Sequence, residues 1–137
     1  ELGKAQVMYE SEDNPLQLAI ITAGSLTHSV LQAAKAQDEA GVGVRVINMH
    51  TIKPLDTAAI DAAVADCGQI LTIEEHQKAG GLGSAVAESV CAQGVRVHIH
   101  GIDDSFGESG DPDELLSKHG LDVAGISKQI QEVVTNN

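Results

Sequence analysis

The alternation of short β-type runs with amphipathic helical stretches is the feature that most constrains the fold of this 137-residue chain. Apolar runs rich in β-branched residues predict strands at Gln17–Thr22, Val44–Asn48, Gln69–Glu74 and Val95–His100. Stretches with apolar residues at helical spacing separate these runs, and the clearest one lies between Val123 and Val134. Strands that alternate with helices over short links form right-handed crossovers, which produce a mainly parallel sheet.

The fold class predicted from this order is α/β, as one three-layer α/β/α domain around a mostly parallel sheet of about five strands. Residues 17–137 are predicted to form the domain. Residues 1–16 are predicted to be either a linker or an edge strand at Ala5–Tyr9, and one edge strand of the sheet can be antiparallel. Tyr9 and Phe106 are the only aromatic residues, so the core must be aliphatic. An aliphatic core suits strands that are covered by helices on both faces.

Turn and cap residues agree with these boundaries. Each of four predicted helices is followed by a glycine suited to the left-handed conformation that ends a helix: Gly41, Gly68, Gly94 and Gly120. Asp56 is placed to cap the second helix, and Ser25 or Thr27 is placed to cap the first.

Charge and composition argue against several classes of function. The chain has 8 basic and 20 acidic residues, a net charge of −12, so nucleic acid is not an expected partner. No apolar run approaches the ~20 residues of a membrane helix, and no signal peptide is recognisable at the start. Cys67 and Cys91 are predicted to be buried thiols in a reducing compartment, which makes the cytoplasm the expected location.

The segment Glu74–Glu88 is the most distinctive candidate site. A predicted strand leads into two acids, a histidine and a glycine turn that opens a helix, with the residues Glu74, Glu75, His76, Gly80, Gly81, Gly83 and Ser84. This layout places polar groups and free backbone N–H groups at the carboxyl edge of a parallel sheet, where ligands and neighbouring domains dock.

The glycines of this segment do not match a dinucleotide fingerprint. Val86 occupies the third position, where Gly or Ala is needed for close helix packing. The favoured interpretation is a tight turn that seats the helix on the sheet, and the alternative is a helix start that holds a carboxylate or a phosphate. Glu74 and Glu75 leave the strand on opposite sides, so a paired-carboxylate site is not expected.

The histidines give no complete site from spacing alone. His76 is a titratable group near the sheet edge, with no partner identifiable in the sequence. His98 and His100 share one face of a strand, a spacing that can hold a metal, but no Cys or third His lies at ligand spacing. A solvated or interface face is therefore expected for this pair.

Three segments together resemble the C-terminal domain of transketolases, most closely the form whose catalytic unit is split between two polypeptides: Val44–Asp56, Glu74–Glu88 and Asp104–Gly110. The resemblance runs from about Leu18 to Val134. The first two segments also resemble the corresponding domain of deoxyxylulose phosphate synthase and of the β subunits of 2-oxo acid dehydrogenases. The stretch Phe106–Gly110 favours transketolase.

The resemblance implies a larger enzyme that uses thiamine diphosphate and a divalent ion, usually Mg²⁺. Such enzymes move a two-carbon ketol unit from a ketose phosphate to an aldose phosphate. Their cofactor sits between two other domains, and the third domain supports the dimer. The family's metal motif is absent here, since Gly110-Asp111 runs into Pro112. The resemblance therefore implies no catalytic, cofactor-binding or metal residue in this chain, which starts without Met and is expected to be an excised domain, inactive alone.

Polar loops of this domain are expected to face the remaining transketolase domains, a partner subunit or the second protomer of a homodimer. The residues expected at these contacts are His50, Lys53, Glu74, His76, Gly80, Gly81, Gly83, Ser84, Phe106, Glu108 and Ser109. Two alternatives stay open. One is a stand-alone module that binds an anionic metabolite at residues 80–84, and the other is the equivalent domain of a 2-oxo acid dehydrogenase β subunit or of deoxyxylulose phosphate synthase.

Overall fold

The computed structural model describes residues 3–77, 81–102 and 112–136. In these ranges the strands are β1 (Gln6–Glu10), β2 (Leu16–Thr22), β3 (Gly43–Asn48), β4 (Gln69–Gln77) and β5 (Arg96–Ile102). The helices are α1 (Thr27–Glu39), α2 (Thr57–Cys67), α3 (Leu82–Val90), α4 (Pro112–Lys118) and α5 (Val123–Thr135). Short 3₁₀ turns at Gly24–Leu26 and Cys91–Gln93 precede α1 and follow α3.

The strands form one sheet in the order β1-β3-β2-β4-β5. The strands β2, β3, β4 and β5 pair in parallel, and β1 pairs with β3 in antiparallel orientation at one edge. This arrangement confirms the predicted three-layer α/β/α fold, including its antiparallel edge strand. Residues 6–10 are therefore part of the sheet.

Two aliphatic cores lie on opposite faces of this sheet. Residues 18–21 of the central strand β2 are all 0% exposed, because neighbouring side chains of a strand point to opposite faces and each face is covered. Helices α1 and α5 cover one face with the buried side chains of Val30, Ala33, Ala34, Ile126, Ile130 and Val133. Helices α2 and α3 cover the other with those of Ile60, Ala63, Cys67, Leu82, Val86 and Val90.

The helix positions create a topological switch point at β2. The chain leaves β2 toward the face that α1 covers, and it leaves both neighbours, β3 and β4, toward the face that α2 and α3 cover. Loops that diverge in this way open a crevice at the carboxyl ends of the strands, which is where open α/β sheets bind ligands. The fold thus predicts that a binding site lies at the carboxyl ends of β2, β3 and β4.

The cap predictions were confirmed in part. The four glycines after helices have positive φ angles of 99° (Gly41), 83° (Gly68), 68° (Gly94) and 70° (Gly120). Asp56 caps α2 by accepting a hydrogen bond from the Ala59 amide at 3.2 Å. The predicted side-chain cap of α1 was wrong, because the 3₁₀ turn at Gly24–Leu26 runs directly into that helix and no side chain caps it.

The two cysteines have different environments. Cys67 is buried as predicted, and burial raises the pKa of its thiol to about 11. The predicted burial of Cys91 was wrong, because α3 ends at Val90 and the following 3₁₀ turn leaves Cys91 exposed. Among the helices of the described ranges, none has the length and apolar character that a membrane crossing requires.

Tyr9 fastens the edge strand β1 to α1. Its hydroxyl donates a hydrogen bond to the carboxylate of Asp38 in the last turn of α1. The side-chain amide of Asn14, in the turn after β1, donates to the same carboxylate at 2.7 Å. The bond to Asp38 raises the pKa of Tyr9 to about 12, and the same bond lowers the pKa of Asp38.

An alkaline titration of tyrosine absorbance tests this contact, since Tyr9 is the only tyrosine and the chain has no Trp. We expect a midpoint at about 12, above the ordinary value of about 10. Because the folded-state pKa is raised, this contact stabilises the fold fully below the unfolded pKa of about 10. That stability is lost as the pH rises through about 12.

Two alanine variants make the titration specific. Asp38→Ala is expected to lower the midpoint toward the ordinary value of tyrosine, whereas Glu39→Ala at the next, exposed residue is expected to change it far less. Far-UV circular dichroism shows whether the chain is folded at each pH. A folded wild-type chain that titrates at the ordinary pKa would contradict the contact.

Candidate functional site

A cleft of about 280 Å³ opens at the carboxyl ends of β2, β3 and β4. The residues that line it follow β2 and β3, belong to β4 or begin α3: Ala23, Gly24, Ser25, Met49, His50, Ile52, Glu74, Glu75 and Leu82. The cleft lies where the switch point places a crevice. Two residues expected at a contact surface, His50 and Glu74, are therefore part of one site.

Glu74 is a buried carboxylate that holds the start of α3. Its side chain is 4% exposed, and its two oxygens accept hydrogen bonds from the amides of Leu82 at 2.8 Å and Gly83 at 3.2 Å. The first amides of a helix have no partner within the helix, and the helix dipole favours a negative charge there. Burial of this charge is thus compensated by two bonds to the helix terminus.

Gly81 and Gly83 are required by the close approach of α3 to the sheet. A Cβ at Gly81 would lie 2.5 Å from the Glu74 Oε1 atom, closer than real Cβ contacts allow. A Cβ at Gly83 would lie 2.6 Å from Ile99 and 2.7 Å from the Thr72 hydroxyl. These distances support the favoured interpretation of the glycine turn as a device that seats α3 on the sheet.

Glu75 points away from Glu74, as strand alternation predicts. Its side chain is exposed, and its carboxylate accepts a hydrogen bond from the hydroxyl of Ser25. This bond joins the end of β4 to the loop after β2 across the cleft. No ion pair between Glu75 and another described residue is recorded.

The other predicted contact residues differ in position. His50 and Lys53 are exposed in the loop between β3 and α2, and Ser84 is half-buried in the first turn of α3. The backbone of His76 belongs to β4, but its side chain lies outside the described residues. Gly80, Phe106, Glu108 and Ser109 also lie outside them. The contact role of all these residues stays a prediction.

The histidine pair on β5 is bonded within the domain. The His98 Nε2 atom lies 3.1 Å from the Gln69 Oε1 atom, and the His100 Nε2 atom lies 2.7 Å from the Gly120 carbonyl oxygen. Burial lowers the pKa of His98. Both histidines are half-buried, and the turn between α4 and α5 contacts His100, so the prediction of a solvated or interface face stays a prediction. No group of three or more metal-ligating side chains occurs in the described residues.

Sequence reasoning missed part of the cleft lining. Ser25 was considered only as a helix cap, and Ile52 was quoted only within a resembling segment, yet both line the cleft. The available signal was their position directly after predicted strands, since the carboxyl ends of neighbouring parallel strands meet at one edge. The partner of Ser25, Glu75, lies 50 residues away in the chain, and no local pattern reveals such a pair.

The fold and this site define a three-layer α/β domain with a cleft at its switch point, in which a buried carboxylate binds a helix terminus. The chain belongs to the transketolase C-terminal domain family. The model of that family, described as "Transketolase, C-terminal domain", matches residues 3–126. The resemblance drawn from three sequence segments is thereby confirmed.

Individual relatives agree with this assignment. The chain is 39% identical over 133 residues to a subunit of the apulose-4-phosphate transketolase of Phocaeicola vulgatus, covering 97% of the chain and 41% of that protein. It is 42% identical over 132 residues to 1-deoxy-D-xylulose-5-phosphate synthase of Acidovorax ebreus, covering 95% of the chain and 20% of that protein. The chain thus spans less than half the length of these relatives.

A solved structure described as "Split gene transketolase, inactive beta4 tetramer" is also similar. It superimposes with a TM-score of 0.87 at 34% identity, and the match covers 98% of this chain and 43% of that chain.

The substitution Glu74→Gln tests the helix contact. A glutamine keeps the size of the side chain but turns an NH₂ group toward one of the two amide donors, so a buried charge-assisted bond is lost. We expect the free energy of unfolding to fall by about 1–3 kcal/mol, measured by urea denaturation. Glu75→Gln, at the exposed neighbouring residue, is the matched control and is expected to change it by less than about 0.5 kcal/mol. Equal effects of the two variants would contradict the structural role of Glu74.

Proposed function

We propose that this chain is the non-catalytic C-terminal domain of a transketolase-type enzyme, which transfers a two-carbon ketol unit from a ketose phosphate to an aldose phosphate. Its role is to pack against the remaining transketolase domains or a partner subunit and to support a homodimer of the full enzyme. The cytoplasmic location belongs to the same proposal. The observation that carries the non-catalytic role is the bonding of Glu74. This residue is the most buried carboxylate of the cleft, and it is bonded to the first amides of α3.

The cofactor of such an enzyme does not fit the described residues. Thiamine diphosphate with a divalent ion supplies the chemistry of ketol transfer when it is bound, and the proposal places it in other domains. The described residues hold no group of three or more side chains suited to a metal. The cleft presents the carboxylates of Glu74 and Glu75, which repel a diphosphate. No catalytic step is therefore assigned to this chain.

The names of the relatives support an enzyme of more than one polypeptide. The Phocaeicola vulgatus protein is named as one subunit of a transketolase, and the similar structure is described as a split-gene transketolase. A second polypeptide of the same enzyme is accordingly the favoured binding partner of this chain.

A stand-alone anion-binding module is less favoured. Its anion would need the first amides of α3, and the amides of Leu82 and Gly83 are already bonded to Glu74. An anion at the same helix terminus would also lie beside that carboxylate, and like charges at short distance repel.

A second candidate is the equivalent domain of a deoxyxylulose phosphate synthase, which is favoured by the 42% identity to the Acidovorax ebreus protein. The two candidates share the supporting role of this domain and differ in the reaction of the full enzyme. An assay of the full enzyme that carries this domain separates them. Ketol transfer between a ketose phosphate and an aldose phosphate supports the first candidate, and formation of 1-deoxy-D-xylulose 5-phosphate supports the second.

Calorimetric titration of the isolated chain tests the absence of a cofactor role. With thiamine diphosphate and MgCl₂ in the syringe, we expect no saturable heat, because the described cleft offers carboxylates to an anionic ligand. Far-UV circular dichroism of the same sample serves as the control for folding. A tight signal with one cofactor per chain would overturn the proposal.

A further inference from the structure

We propose that the cleft at the carboxyl ends of β2, β3 and β4 receives one basic side chain, arginine or lysine, from a neighbouring domain or subunit, and that Glu75 is its counter-ion. The proposal rests on the proposed function only for the identity of the polypeptide that carries this side chain. The recognition itself follows from the charge, shape and lining of the cleft.

The two carboxylates of the cleft differ in what balances their charge. Glu74 is 4% exposed and is bonded to the amides of Leu82 and Gly83, so the helix terminus compensates it. Glu75 is exposed and accepts one hydrogen bond from the neutral hydroxyl of Ser25. That bond leaves the negative charge of Glu75 at the cleft, oriented by Ser25.

The basic side chains of the adjacent loop do not balance this charge. His50 lines the cleft and Lys53 follows in the same loop, yet both side chains are exposed and the structure records no ion pair between either one and Glu75. The net charge of −12 further disfavours an anionic occupant. Among the residues that the structure describes, none forms a recorded ion pair with Glu75, so the electrostatics favour a cation that a partner brings to the cleft.

The floor of the cleft is apolar and suits the stem of a long basic side chain. Met49 and Leu82 are each 1% exposed, and Ile52 at the edge of the cleft is 41% exposed. Arginine and lysine bury their methylene stems against apolar surface while the charged group reaches a polar partner.

A single long side chain suits a cleft of this size. Its volume of about 280 Å³ is at the small end of the range of about 300–1,000 Å³ for ligand pockets. The cleft is also open to solvent. A side chain anchored on a larger surface gains its affinity from that surface, so the cleft need supply only orientation and charge recognition.

An NMR titration of the whole ¹⁵N-labelled chain with the capped peptide acetyl-Leu-Arg-Leu-amide tests the proposal. We expect saturable shifts of amide signals concentrated at Gly24, Ser25, Ile52 and Leu82. The peptide with citrulline in place of arginine has the same shape without the charge, and we expect it to bind about five-fold more weakly or worse.

Two acid-to-amide variants locate the counter-ion. Glu75→Gln is expected to weaken the arginine peptide about five-fold or more. Glu88→Gln, an exposed acid farther along α3, is expected to leave binding unchanged. Any one of four results would overturn the proposal. They are equal binding of the arginine and citrulline peptides, shifts that spread over the acidic surface, the lack of a saturable shift, and the lack of an effect of Glu75→Gln. The titration uses neither cofactor nor substrate, so its failure is distinct from a failure of the proposed enzymatic role.

Discussion

The hydrogen bonds from the first amides of α3 to the Glu74 carboxylate are the interaction on which the carboxyl edge of this sheet depends. They fix where α3 begins and compensate a charge that would otherwise be buried without a partner. The close approach they require explains why Gly81 lies beside the carboxylate. A helix terminus that often binds a ligand in other proteins is here satisfied by the chain itself.

The sheet topology gives this interaction its setting. Because α1 lies on one face and α2 and α3 lie on the other, β2 is followed by a helix on one face and β3 and β4 by helices on the other, and a cleft lies at the carboxyl ends of these strands. One acid at the end of β4 points inward and is used for packing, and the next points outward into the mouth of the cleft. The same strand alternation therefore separates a structural carboxylate from one that can contact a partner.

The sequence predicts the parts of this structure that depend on local patterns. The strands, the apolar faces of the helices and the left-handed glycines after the helices were predicted correctly, because periodicity and backbone conformation are encoded over a few residues. The divergence of Glu74 and Glu75 followed from the same logic. Contacts between distant segments were not recovered. The bond of Ser25 to Glu75 spans 50 residues, and the exposure of Cys91 depends on where α3 ends against the sheet.

Hydrogen exchange at the amides of Leu82 and Gly83 tests most directly whether Glu74 occupies the terminus of α3. We expect slow exchange of both amides that does not change when phosphate is added in large excess, because their acceptor is the buried carboxylate. Fast exchange that slows when phosphate is added would show instead that the terminus is open to an external anion and is not held by Glu74.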